Sequence, residues 1–134
     1  MKQYEDFLYP ELTYKMRGAI FAVWKELGPV FKESVYHKAL AKQFSTIGLK
    51  YKSEPIIPIY FQGEKVGTYK PDFIVDDKVI VEIKVLPQLF FSQEKQLWYY
   101  LKGTEYKIAL LVNFGSPKLQ IKRWIYDKAR NKNK

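Results

Sequence analysis

A chain of 134 residues, 47% hydrophobic and 28% charged, has the length and make-up of one folded domain and excludes a disordered segment. It contains no cysteine, which rules out disulfides and thiolate metal sites. Lysine and arginine number 23 against 14 acids, and the resulting charge of +9 favours a polyanionic partner, because cations that neutralise phosphates release the counterions held there.

The first six residues hold no apolar segment followed by a cleavage site, and no apolar run reaches the ~20 residues of a membrane span. A cytoplasmic protein with no membrane partner is expected. Leu12, Met16, Ile20, Val23 and Leu27 recur at helical spacing, and Gly28-Pro29 supplies the stop. A second helix is predicted from Lys32 to Ile47, with Val35, Ala39, Leu40 and Phe44 inward. Ile56 to Phe61 reads as a strand that turns at Gln62-Gly63-Glu64-Lys65 into Val66 to Tyr69. Phe73-Ile74-Val75 and Val79-Ile80-Val81 form the arms of a hairpin whose loop is Asp76-Asp77-Lys78. Ser92 is the expected N-cap of a third helix that runs through Lys102 to Gly103. Ile108 to Val112 is a continuous apolar run, as in a strand covered on both faces, and Leu119 to Ile125 alternates like a half-exposed edge strand. The result is an α/β fold with a mixed sheet, one domain over 1–126 and a basic tail over 127–134 that is either a phosphate-contacting arm or a solvated end.

The hairpin carries the chemistry. With a three-residue loop, Val75 faces Val79 and Asp72 lies opposite Glu82. Side chains alternate faces along a strand, so Asp72, Ile80, Glu82 and Lys84 share one side of the sheet. Opposed carboxylates repel, and a fold that sets two there needs a cation. Lys84 supplies one charge and a divalent metal the rest. Asp72 and Glu82 offer two oxygens and the backbone carbonyl of Ile83 a third, a set that suits Mg²⁺ or Mn²⁺. An Asp, Glu and Lys on a solvated face also make an ordinary salt-bridge ladder, and the three residues alone do not choose between the two.

Glu33 falls where the second helix begins, a position the helix dipole favours for any acid. Gln96 and Tyr100 are one turn apart on the third helix and share a face. His37 has no partner motif and reads as structural or surface. Phe90, Phe91, Trp98 and Tyr99 read as packing residues in preference to base-stacking platforms.

Together these residues resemble the PD-(D/E)xK nuclease superfamily. Pro71-Asp72 and Glu82-Ile83-Lys84 match its signature, the element order matches its restriction-endonuclease-like αβββαβ core, and Gln96 to Tyr100 looks like the QxxxY motif of its RecB-type members. More narrowly, Leu27-Gly28-Pro29, Glu33 to Tyr36, Lys38-Ala39-Leu40 and Asn113 to Pro117 follow the order of the small GxxExxY family, from about Tyr14 to Ile125. That family's naming glycine falls where this chain has Val30. The resemblance implies that Asp72, Glu82 and Glu33 face a metal and that Lys84 is the catalytic lysine. It also implies that Gln96 is among the catalytic residues and that Tyr100 and Tyr36 position substrate. The function expected is a Mg²⁺- or Mn²⁺-dependent nuclease acting on DNA, alone, as a homodimer or with a partner protein. The alternative is a non-catalytic nucleic-acid-binding or regulatory module on the same fold.

Overall fold

A computed structural model describes residues 8–126 of the chain; the expected basic tail, 127–134, lies outside the described residues. Helix α1 (Pro10–Leu27) has proline at its start, where the missing N–H costs nothing, and buries Met16, Ala19, Ile20 and Val23. Gly28 ends it with φ +69°, a left-handed conformation that glycine adopts without strain. Helix α2 (Glu33–Thr46) buries Tyr36, Leu40 and Phe44, a strict four-residue repeat. Val35 and Ala39, expected inward, are only half-buried, because the stripe facing α1 is rotated onto Tyr36.

Seven strands follow the helices and enclose one more: β1 (Tyr51–Ser53), β2 (Ile57–Phe61), β3 (Glu64–Tyr69), β4 (Phe73–Val75), β5 (Val79–Lys84), helix α3 (Phe91–Lys102), β6 (Ile108–Asn113) and β7 (Gln120–Ile125). Five form a mixed sheet in the order β1-β4-β5-β6-β7. The β4–β5 register pairs Val75 with Val79 and Phe73 with Val81, as the three-residue loop requires. Asp76 and Asp77 take positive φ at the turn, which aspartate tolerates better than most residues. Helix α3 is the crossover between the parallel strands β5 and β6, and β7 closes the sheet as an antiparallel edge.

Three expectations need correction. The short edge strand β1 was not foreseen. The hairpin β2–β3 stands apart as a two-stranded sheet, because Lys70-Pro71 interrupts the extended chain and proline cannot donate to a ladder. Helix α3 is capped by Phe90 and not Ser92: Oε1 of Gln93 reaches back to accept the Phe90 N–H at 2.7 Å, so Ser92 falls inside the first turn.

Strand parity divides the core into two layers. Phe73, Val79, Val81 and Ile83 face α1 and α2 with Ile108, Leu110 and Val112. Ile74 and Ile80 face the other way, toward Ile57 and Tyr69 of the small sheet and Leu97 and Leu101 of α3. Glu82 and Lys84 continue the Ile80 face past the end of that apolar layer, which leaves them half-buried. Behind them, fully buried Asn113 pins the segment after β5, accepting the Leu86 N–H at 2.9 Å and donating to the Leu86 carbonyl at 3.0 Å. Gly115 backs that segment so closely that a Cβ would lie 2.5 Å from Leu86 N.

Candidate active site

Strand β4 begins at Phe73, so β5 runs three residues, Glu82 to Lys84, beyond the last pair it makes with that neighbour. The gap is filled by a side chain: Oδ2 of Asp72 accepts the Ile83 N–H at 2.8 Å. The carbonyl of Ile83 points to the same side of β5 as its N–H, since both belong to one strand residue. The other carboxylate oxygen, Oδ1, lies 2.9 Å from Nδ1 of His37, and both side chains are 15% exposed. Nε2 of that imidazole is 2.8 Å from Oγ of Ser53, and its ring stacks on Phe73 with centroids 4.3 Å apart.

Glu82 is held from the opposite side. Oε2 accepts a 2.6 Å hydrogen bond from the Tyr69 hydroxyl. The Tyr69 ring lies flat on Tyr100, 4.1 Å away and 3° from parallel, so the small sheet and α3 jointly fix the donor. Burial pushes the Glu82 carboxyl up to about 7, and the charge of Asp72 and a carboxyl–carboxylate hydrogen bond with it push the same way. The Tyr69 bond and the Lys84 charge oppose the rise without cancelling it. Burial beside Glu82 also raises the Tyr69 phenol well above its ordinary range, so it stays a donor.

Glu33 opens α2 at the rim of the same centre. Its carboxyl is raised by partial desolvation first and the Asp72 charge second, and lowered by Lys84 and His37. Glu33, Asp72, Glu82 and Lys84 therefore share one electrostatic environment. A cavity of about 380 Å³ opens beside them, lined by Glu33, Ser34, His37, Lys38, Glu54 and Asp72. A wider one, about 550 Å³, lies between the small sheet and the end of α3 and includes none of the four.

Two acids that close, partly desolvated and with one ammonium nearby, are short of positive charge. No three His, Cys, Asp or Glu side chains among the described residues form a ready cage. The donors present are hard carboxylate oxygens and the Ile83 carbonyl near the end of β5, with an open cavity beside Glu33 and Asp72. That set fits Mg²⁺ or Mn²⁺, which takes few protein ligands and keeps waters, better than a metal that needs four protein donors.

Several expected residues sit differently. Tyr36 is fully buried, its ring stacked on Phe114 at 4.5 Å and its hydroxyl bonded to the Gly28 carbonyl and the Phe31 N–H. It has no surface to offer a substrate and works as a core residue. Gln96 is exposed on α3 and makes no hydrogen bond to the acids, whereas Tyr100 reaches Glu82 through Tyr69. Phe90, Phe91 and Tyr99 are exposed, Tyr99 with its ring edge-on to Trp98; of that group Trp98 alone is half-buried, edge-on to Tyr126 as well.

Sequence reasoning missed His37 and Tyr69, the two residues that grip the acids. A signal existed for the first, since His37 lies one helical turn after Glu33 and so on the same face.

A family model described as the PD-(D/E)XK nuclease superfamily matches residues 10–124. No curated protein matches the chain. Among solved structures, the crystal structure of SSO0001 superposes with a TM-score of 0.55 at 18% identity, covering 95% of this chain and 63% of that one. The chain thus spans less than two thirds of that protein, and the likeness shows the shared fold. The alkaline exonuclease LHK-Exo from Laribacter hongkongensis aligns over 75% of this chain and 59% of its own, at 14% identity and a TM-score of 0.43.

Proposed function

Given that the chain belongs to the PD-(D/E)XK nuclease superfamily, we propose that it is a metal-dependent nuclease that hydrolyses phosphodiester bonds in DNA. The observation that carries this reading is the apposed pair Asp72 and Glu82 beside the end of β5, Asp72 accepting the Ile83 N–H and Glu82 the Tyr69 hydroxyl, with burial raising the Glu82 carboxyl. Asp72, Glu82 and the Ile83 carbonyl would hold Mg²⁺ or Mn²⁺, with Glu33 of α2 as a further acid for it. When bound, the ion polarises the scissile phosphate and lowers the pKa of an attacking water. Three carboxylates are then matched in charge by the ion and Lys84.

The protein's own groups do the rest. Lys84, one pleat beyond Glu82, stabilises negative charge that develops on the phosphate. Tyr69 keeps Glu82 turned toward Asp72, and Tyr100 braces Tyr69. Gln96 is assigned to the substrate side because it is exposed one helical turn from Tyr100. The net charge of +9 draws the polyanion in. The same reading extends to a homodimer or to a complex with a partner protein.

Purified protein should nick or cleave DNA in Mg²⁺ or Mn²⁺, and Lys84→Ala and Glu82→Ala should abolish it. Absence of cleavage on single- and double-stranded DNA and on RNA, in either metal, would overturn the proposal. Calorimetry separates the alternative: a non-catalytic module binds DNA equally well without metal, whereas an enzyme binds Mn²⁺ and loses it in Asp72→Ala.

A further inference from the structure

We infer that His37 is the positioning residue for Asp72, fixing the carboxylate through Nδ1 while Ser53 fixes the imidazole through Nε2. The inference rests on the nuclease reading for its kinetic consequence only. Asp72 precedes β4, and the one cross-strand bond on its backbone, from the Glu54 N–H to its carbonyl, does not orient its side chain. Its carboxylate is instead held at both oxygens, by Ile83 N–H at 2.8 Å and by His37 Nδ1 at 2.9 Å. The Ile83 donor belongs to the rigid centre of the sheet. The His37 donor comes from α2, and without it Oδ1 loses its tie to that helix, leaving the carboxylate to the Ile83 amide and the neighbouring Glu82 carboxyl.

His37 is itself braced on three sides. Its ring lies on Phe73 at an interplanar angle of 17°, its far nitrogen meets Ser53 at 2.8 Å, and its helix is packed on the core through Tyr36 and Leu40. Donation from Nδ1–H to Asp72 leaves Nε2 as acceptor for the Ser53 hydroxyl, which selects one tautomer. The end of edge strand β1 and the residue after it thereby both reach the centre, since the Glu54 N–H donates to the Asp72 carbonyl at 2.8 Å.

The order Ser53, His37, Asp72 is also the order of a nucleophilic triad. The backbone argues against that use. A serine nucleophile needs free amide donors for the oxyanion, and the amide that follows Ser53 is already spent on Asp72.

The test compares wild type with His37→Leu, His37→Asn and Ser53→Ala. Asparagine places an amide nitrogen where Nδ1 stands, whereas leucine offers no donor. In metal-free protein, hydrogen exchange of the Ile83 amide reports whether Asp72 is still seated. It should speed up about tenfold in His37→Leu, with the Val81 amide unchanged, and return toward wild type in His37→Asn. In the cleavage assay kcat should fall about tenfold in His37→Leu with KM within about twofold, and Ser53→Ala should show the same split more weakly. Unchanged Ile83 exchange in His37→Leu overturns the inference, and so does stoichiometric labelling of Ser53 by a fluorophosphonate. If wild type cleaves nothing yet Ile83 exchange depends on His37, the nuclease reading falls and the positioning role stands.

Discussion

The hydroxyl of Tyr69 donates to Glu82 at 2.6 Å while its ring lies parallel to that of Tyr100. This one residue ties a small two-stranded sheet outside the main sheet to an acid inside it. Tyr69→Phe removes the hydroxyl and keeps the stack. Hydrogen bonds to charged groups are worth about 1.5–3 kcal/mol, so Mn²⁺ affinity at neutral pH should drop about tenfold or more. Calorimetry on the variant checks it, and an unchanged affinity would show that Tyr69 serves packing alone.

Glu82 gives the protein a pH signature. Its carboxyl rises to about 7 in the folded state, against about 4.3 in an unfolded chain. The folded state therefore holds that proton more tightly, and the associated stability is complete below the unfolded value. It is lost as pH climbs through about 7, by at most about 4 kcal/mol for one such group. Metal-free Glu82→Gln should melt progressively higher than wild type as pH rises from about 5 to 8. Saturating Mn²⁺ should reverse the order at the upper end, because metal binds the ionised carboxylate. Thermal melts at both ends of the range are sufficient.

Lys84→Met separates ion binding from chemistry. Removing a positive charge beside two acids should leave Mn²⁺ bound as tightly as before, or slightly more so. Cleavage should fall on the order of 10²–10³-fold, the usual loss for one group that stabilises transition-state charge. Parallel calorimetry and gel assays would show the split, and a variant that loses metal and activity together would contradict it.

Gly115→Ala tests what holds the end of β5. A Cβ there would stand 2.5 Å from Leu86 N and 2.7 Å from the Val85 carbonyl carbon, all backbone atoms. The segment after Lys84 must move, at a cost of about 1–3 kcal/mol by the usual scale for overpacking. Urea unfolding should register the loss, and kcat should fall as the β5 end shifts.

Tyr36→Phe should reduce stability by about 1–3 kcal/mol, since the Phe31 N–H and Gly28 carbonyl lose their buried partner. KM for the nucleic acid should not change. A raised KM with an unaltered melting temperature would restore Tyr36 to the substrate site.

Much of the centre was readable because it is local and periodic. The parity of a strand puts Ile80, Glu82 and Lys84 on one face whatever surrounds them, and the loop at Asp76 to Lys78 sets Val75 against Val79. The continuous apolar run of β6 likewise announced a strand covered on both sides, and all six of its residues are buried. What escaped was tertiary. His37 meets Asp72 across 35 positions and Tyr69 meets Glu82 across 13, and no spacing rule links such pairs. Strand β1 is three residues long, too short for alternation to register, and becomes a strand only because the β4 edge accepts it. Tyr36 was misjudged because a motif names a residue without saying which way it points; its stack on Phe114 decided that.

Two acids pressed together at the end of a sheet make the resting molecule weaker than its fold would allow. A lineage screened for heat tolerance alone would gain by trading Glu82 for its amide. On the proposed reading such a descendant would fold well and cleave nothing, and no melting curve would reveal what had been given up.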